Sequence, residues 1–593
     1  MKNIIVFMVI FAFICNAMIT GEIKNIKEIN EKMYGYVSIN SNMQYLHKAG
    51  YPMLPYKTKT YVFPVGTIIK KINVRVNEIK EMKLKEKIKP APKPATMGEK
   101  EIIKEGSIYN KDEFYPSNWY DYRIGVGLKN GKHVLFLNIY LYPYRYNAVR
   151  NELKYAKFDI NIDYKLPSKP SFLNKYDLLI VAPDKWLNDL KPLVEEKERH
   201  GIKTKLVGLS QCLSMNGRDD AEKLKYYIKN EIEQDGIKYV LLVGGRHGGI
   251  MKEKWWIPVR YSHLDDNSHW ETGYLSDLYF ADIYKYEDGE LVFDDWDSNG
   301  NGKFAEWNMM NKDILDLNPD VYIGRLPCRN EMEVKMIVNK IVEYENSNAY
   351  EQPWFKRMIL VGGDSYNDSH GYIEGEIATW EAYKYMEKKG FQAVKLWASE
   401  KDLNAETIGG AINDGAGFAY FCGHGNPMSW STHKPNEFNT WCHGFNIFDI
   451  PRLKNDGKLP VIVVGGCHNS QFNVSILNSF NKEKIYKGEN SPECWSWWFI
   501  RKIGGGAIAV IANTGLGYHG DEDSNNNSIP DYIEILDGWL EINFFKNYGN
   551  KSLGQIHSDT LTGYINLFNP MDYVIDCKVV QEWLLMGDPT LKV

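Results

Sequence analysis

Two short apolar runs stop abruptly in glycine, and a reactive side chain follows each stop. Phe418-Ala419-Tyr420-Phe421-Cys422 leads into Gly423-His424-Gly425, and Pro460-Val461-Ile462-Val463-Val464 leads into Gly465-Gly466-Cys467-His468. A short apolar run bounded by glycine reads as a strand buried on both faces. Such strands belong to parallel sheets, which carry their chemistry at the carboxyl ends of the strands. The pair predicts that one sheet edge receives an imidazole and a thiol together.

The surrounding chain fits that sheet. From about residue 171, apolar runs at 177–182, 203–207, 239–245, 321–325, 357–364, 392–396 and 507–512 alternate with helical periods at 186–200, 221–234, 331–345, 374–389, 403–413 and 492–502, and helical patterns close the chain. The alternation predicts parallel strands joined by right-handed helical crossovers. Residues 18–170 are different. Stretches 62–64, 72–76, 134–140 and 158–164 are strand-like, and helical periods are scarce. The expected fold class is α/β: a β-rich, sandwich-like domain over 18–170, then two βα subdomains over 171–350 and 351–593. The first subdomain carries a long insertion.

The N-terminus predicts export. Lys2 precedes an apolar stretch over 4–14 and the small-residue exit Cys15-Asn16-Ala17, the layout of a secretory signal over 1–17. The stretch is short for a bilayer span, and no later run is longer, so no stable membrane span is expected. A net charge of −5 without a basic stripe argues against a nucleic-acid partner. Seven of the cysteines lie beyond the signal: Cys212, Cys328, Cys422, Cys442, Cys467, Cys494 and Cys577. That is no disulfide scaffold, and an odd number leaves a free thiol.

The insertion holds Asp295-Trp296-Asp297-Ser298-Asn299-Gly300-Asn301-Gly302-Lys303-Phe304-Ala305-Glu306. Oxygen-bearing Asp295, Asp297 and Asn299 alternate, a glycine turns the chain, and Glu306 can close the shell with two oxygens, the pattern of a calcium loop. Asn301 would add its backbone carbonyl. A looser copy offers Asp523, Asn525, Asn527, Asp531 and Glu534, with Ser528 where glycine is usual. Two structural Ca2+ sites are expected and no organic cofactor. Solvated Asp/Asn turns are the plainer alternative.

A thiol becomes a strong nucleophile as thiolate, and a neighbouring imidazole can make it one. The glycines beside Cys467 and His424 let the backbone approach a substrate, so the N–H groups of Gly425 and Cys467 are candidate oxyanion donors. Asp364, at the end of its own strand, is best placed to orient the imidazole. A metal site is a rival, because Cys422, His424, Cys442, His443, Cys467 and His468 are all ligand types. Their spacing, however, fits no familiar zinc pattern.

An apolar block ending in His-Gly, then an apolar block ending in a small residue and Cys, resembles the signature shared by caspases, legumains and gingipains. Tyr176–Asp184, Gly201–Val207, Lys238–Gly245 and the ending Leu585-Met586-Gly587-Asp588-Pro589-Thr590-Leu591 narrow the resemblance to the gingipain-like cysteine peptidases. Gly50–Pro55, Pro90–Pro94 and Pro143–Asn147 resemble that family's propeptide. The resemblance implies a caspase-like sheet, Cys467 as nucleophile, His424 as general acid/base and Asp364 as their acidic partner. It also implies protein or peptide substrates and a zymogen whose N-terminal domain partners the rest. In arginine-specific members an acidic residue lines the S1 pocket, which falls here near Glu374 and Glu376, with Glu376 the better match. Such a carboxylate would select Arg or Lys at P1. A catalytically inactive secreted binding protein on the same scaffold and a Cys/His metalloprotein are the alternatives.

Overall fold

A computed structural model describes residues 22–29, 32–38, 43–94, 103–167, 175–248, 253–367, 371–520 and 522–593. The expected signal over 1–17 lies outside them. One ten-stranded sheet organises residues 175–593. Its strands in chain order are β1 (Leu178–Ala182), β2 (Thr204–Gly208), β3 (Tyr239–Val243), β4 (Tyr322–Leu326), β5 (Arg357–Gly362), β6 (Gln392–Trp397), β7 (Phe418–Cys422), β8 (Val461–Gly465), β9 (Ala509–Asn513) and β10 (Trp583–Met586). Across the sheet they run β2-β1-β3-β4-β10-β9-β8-β7-β5-β6. Every residue of β1, β4, β7, β8, β9 and β10 is buried, as continuous apolar runs require.

The sheet is not wholly parallel. β2, β1, β3 and β4 pair in parallel, and so do β9, β8, β7, β5 and β6. Between the two sets lies β10, parallel to β4 and antiparallel to β9. This corrects the all-helical ending expected for the chain. The final strand joins the two βα halves into one mixed sheet.

The crossover helices fall where the periodicity puts them: α1 (Leu187–Arg199), α2 (Asp220–Asp235), α3 (Glu331–Asn346) and α4 (Glu374–Glu387). Asp219 and Asn330 cap α2 and α3 by accepting the N–H of Glu222 and Glu333. Near the C-terminus, α5 (Leu536–Asn547), α6 (Leu553–Phe568) and α7 (Val574–Glu582) follow β9. No helix among the described residues is long and apolar enough to cross a membrane.

The N-terminal region is β-rich, with a four-stranded antiparallel sheet (Gln44–Tyr45, Pro55–Pro64, Lys132–Leu141, Tyr120–Lys129) and a three-stranded one (Ile68–Lys83, Glu152–Lys165, Tyr144–Asn147). Its apolar face does not close within a free-standing sandwich. Val126, Leu135, Leu137, Ile139 and Leu141 belong to the same core as the ten-stranded sheet. Tyr56 and Thr58 hydroxyls donate to Leu567 O, and Asn138 donates to Asn566, both on α6. On the insertion, Val126 N–H donates to Asp316 and Leu128 N–H to Pro319 O.

Candidate active site

β7 and β8 are adjacent and parallel, with Cys422 opposite Gly465. His424 and Cys467 each stand two residues beyond that pair, so the two strands deliver both side chains to one edge. The loops that carry them touch. A Cβ on Gly425 would lie 2.0 Å from Asn469 Oδ1 and 2.7 Å from Cys467 O, so only glycine fits between them.

Cys467 is 6% exposed. Its Sγ faces Gly517 O at 3.8 Å, and burial pushes the thiol up to about 12. Its backbone N–H donates to no described residue. His468 follows at φ +59, a left-handed conformation that costs a non-glycine residue about 1 kcal/mol or more. Its N–H donates to Gly515 O, which helps hold that turn.

His424 is buried among Tyr366, Trp441 and His433, with ring centroids 5.3–6.0 Å away. Burial lowers its imidazole to about 4. Nε2 lies 2.8 Å from Ser365 O. A carbonyl can only accept, so Nε2 carries the hydrogen and Nδ1 the lone pair. Nδ1 has no protein partner among the described residues. Both shifts favour the uncharged forms, thiol and neutral imidazole.

The structure sets the expected acidic groups around this edge in other roles. Asp364 does not meet the imidazole. Its Oδ2 accepts the N–H of Asn436 at 2.9 Å, and its backbone pairs with His433. The imidazole is held by the carbonyl one residue later. Glu374 and Glu376 open α4, both buried. Glu374 Oε2 accepts Ser365 N–H at 2.9 Å. Glu376 accepts Ser399 N–H and Oγ–H at 2.9 and 2.7 Å, and burial raises its carboxyl.

Asn469 drew no role from the sequence. It is fully buried, and Nδ2 donates to Asn426 O at 2.9 Å and Ser429 O at 3.1 Å. It ties the cysteine loop to the histidine loop. An asparagine two residues past Cys467 is the available signal. The Cys/His ligand types stay apart in their bonding: Cys422 Sγ lies 3.1 Å from Tyr532 OH. No group of three or more His, Cys, Asp or Glu among the described residues is arranged to hold a metal ion.

The two Asp/Asn loops repeat one hydrogen-bond pattern, in the expected frame for the second loop and two residues off it for the first. Asp523 accepts the N–H groups of Asn527 and Ser528, and Asn525 Oδ1 also accepts that of Asn527. Asp297 accepts those of Asn301 and Gly302, and Asn299 Oδ1 also accepts that of Asn301. Asp297 thus corresponds to Asp523, and Gly302 to Ser528, which takes φ +70 where Gly302 has +82. Glu306 receives Asn301 Nδ2, and Glu534 receives Asn525 and Asn527. Asp295 lies outside the repeated turn; with Asp297 it pairs with Arg218, at 3.0 and 2.6 Å. The sixth-position glycine of the first loop is therefore Gly302, not Gly300.

The sequence matches peptidase family C25 over residues 172–593 and the C25 propeptide over residues 20–188. The chain belongs to peptidase family C25. Among curated relatives, Gingipain R2 of Porphyromonas gingivalis is 22% identical over 426 residues, 70% of this chain and 46% of the relative. An uncharacterized protein of Archaeoglobus fulgidus is 26% identical over 216 residues, 34% of this chain and 48% of the relative. The chain thus spans about half the length of the curated relatives it matches. Among solved structures, the Arg-specific cysteine proteinase gingipain R aligns at 19% identity and TM-score 0.49, covering 72% of this chain and 80% of that one. A complex of RgpB pro- and mature domains aligns at 18% and 0.46, covering 70% and 79%. The α/β sheet and the β-rich leader are those expected of the family.

Proposed function

We propose that the chain is an exported cysteine endopeptidase made as a zymogen, with Cys467 as nucleophile and His424 as base. The observation that carries this reading is the parallel pairing of β7 and β8, which sets both residues at equal height on one edge, in a chain of family C25. Cys467 Sγ attacks the peptide carbonyl carbon as its proton passes to His424 Nδ1. The N–H groups of Cys467 and Gly425 receive the oxyanion. Collapse breaks the C–N bond, and the leaving amine takes the proton from Nδ1, leaving a thioester. Water then gives a proton to Nδ1 and attacks, and the thiol is restored.

The apolar stretch near the N-terminus supports export, and the propeptide match supports latency. Glu376 is the group offered for a basic P1 side chain: a buried carboxylate on the first turn of α4, beside the strand that leads to Ser365. The calcium reading rests on two loops with the same oxygen-bearing turn. Asp297, Asn299 and Glu306 in one, and Asp523, Asn525 and Glu534 in the other, suit a hard cation, which would brace each loop. Arg218 already brings one positive charge to the first.

The test compares wild type with Cys467→Ala on casein under reducing conditions, and follows cleavage of the leader. Activity and leader cleavage should vanish together in the variant. Equal activity in both would remove the nucleophile assignment. On a peptide panel, cleavage after apolar residues as fast as after Arg or Lys would end the basic-P1 reading.

A further inference from the structure

Ser365 holds the imidazole, and two segments hold Ser365. It lies three residues beyond the end of β5, and the bridge between Asp364 and His433 pins the residue before it. The first turn of α4 meets the N–H of Ser365 itself. Gly375 N–H donates to Gly363 O at 3.0 Å. One residue earlier, Glu374 Oε2 takes the N–H of Ser365 at 2.9 Å. Glu374 is 2% exposed and Ser365 4%, so water does not compete for this bond.

We infer that Glu374 is a positioning residue for the base: through the backbone of Ser365 it fixes His424 with the hydrogen on Nε2 and the lone pair on Nδ1. This rests on the peptidase reading for its chemistry, but not for its geometry. When Nδ1 takes the thiol proton, the imidazolium keeps its Nε2–H on Ser365 O, and the Glu374 carboxyl group holds the N–H of that same residue. Tyr366, His433 and His519 are the other titratable groups facing the ring. None of them supplies an anion at neutral pH. Glu374 therefore replaces the direct carboxylate contact that Asp364 does not make, and this role differs from lining a P1 pocket.

The experiment uses the full chain with Glu374→Gln, Glu374→Ala and Glu374→Asp, Gln being near-isosteric should Ala fail to fold. In a Cys467→Ala background, 15N imidazole resonances report the His424 tautomer whether or not the wild type cleaves peptides. The Nε2–H form is expected, and is expected to be lost or mixed in Glu374→Ala. In the active chain, Glu374→Gln should lower kcat by about tenfold, part of what a general base supplies. It should leave KM and the P1 ratio unchanged and move the acid limb of the pH profile, and Glu374→Asp should restore part of the rate. An unchanged tautomer in Glu374→Ala overturns the inference. So does a Glu374→Gln enzyme with a changed P1 ratio and an unchanged pH profile, which would make Glu374 a specificity residue. Inactivity of the wild type, with the tautomer responding as expected, would remove the peptidase reading and leave the positioning intact.

Discussion

The Cys467 thiol should alkylate slowly in the resting chain. Its burial pushes it up to about 12, and its hydrogen bond goes to a carbonyl, not to an imidazolium. At pH 7 such a thiol is thiolate in about one molecule in 100,000, against about three in a hundred for a free cysteine near 8.5. Iodoacetamide reacts with the thiolate, so labelling should run about a thousandfold or more below that of free cysteine. It should rise about tenfold per pH unit, with no plateau below about pH 10. The assay is a time course of labelling on the full chain, resolved peptide by peptide by mass spectrometry. Half-buried Cys442 serves as internal reference. A pre-formed ion pair would behave otherwise: its thiolate would be present at neutral pH, and labelling would be flat between about pH 5 and 8. A flat profile for the peptide carrying Cys467 would refute both the neutral pair and the desolvation that produces it.

Burial lowers His424 to about 4, so the folded state binds fewer protons than the unfolded chain below its ordinary 6.5. The stability this brings is present above 6.5 and lost as pH falls through 4; kcat/KM on a short peptide should keep its acid limb near 4, and a limb near 6.5 would contradict the burial. Asn469→Ala leaves the carbonyls of Asn426 and Ser429 without their donor, at about 2–4 kcal/mol for two part-buried acceptors. Denaturant titration followed by loss of activity should show it, and an unchanged midpoint would mean the two loops are held otherwise. Calcium at about a hundred times its Kd should add about 2.7 kcal/mol per site, seen as a higher melting temperature than in chelator, and Asp523→Ala should remove part of the shift. Identical melting curves would dismiss both loops. Arg218→Ala should strengthen calcium binding to the first loop by removing a competing cation, which isothermal titration would measure.

Much of this edge could be read in advance because a strand buried on both faces must be continuously apolar, and a glycine marks where it ends. That logic put His424 and Cys467 side by side. It failed at the imidazole's partner for a physical reason. A backbone carbonyl has no residue signature, so a search for a carboxylate stops at Asp364, one residue short of Ser365. Glu374 and Glu376 were legible as acidic and near, but which donor each would meet depends on how α4 docks against the end of β5. The first Asp/Asn loop misled by offering two frames. Asp295 with Glu306 fits the spacing rule, while the turn itself begins at Asp297, whose carboxylate accepts the N–H groups of Asn301 and Gly302.

β10 departs most from the expected ending, and it bears on Cys467. Trp583-Leu584-Leu585-Met586 is four residues long, follows α7 without glycine or proline, and could as well end a helix. What makes it a strand is the open edge between β4 and β9, built from chain at least seventy residues earlier. Its arrival places α7 against the loop after β9, where Thr514 N–H donates to Glu582 O. Lys578 on α7 is fully buried between Asp266 and Glu271, each at 2.6 Å, and those two carboxylates hold it charged. Glu271 in turn accepts the N–H of Leu516 at 2.9 Å, and the next residue, Gly517, offers the carbonyl that Cys467 Sγ faces. A buried ammonium without its partners is costly, so the last helix, the insertion and the loop after β9 must be in place together. The position of the thiol is thus set by three segments far apart in the chain. The two apolar runs fix which edge carries the chemistry; the closing of the sheet fixes where on that edge the sulfur rests.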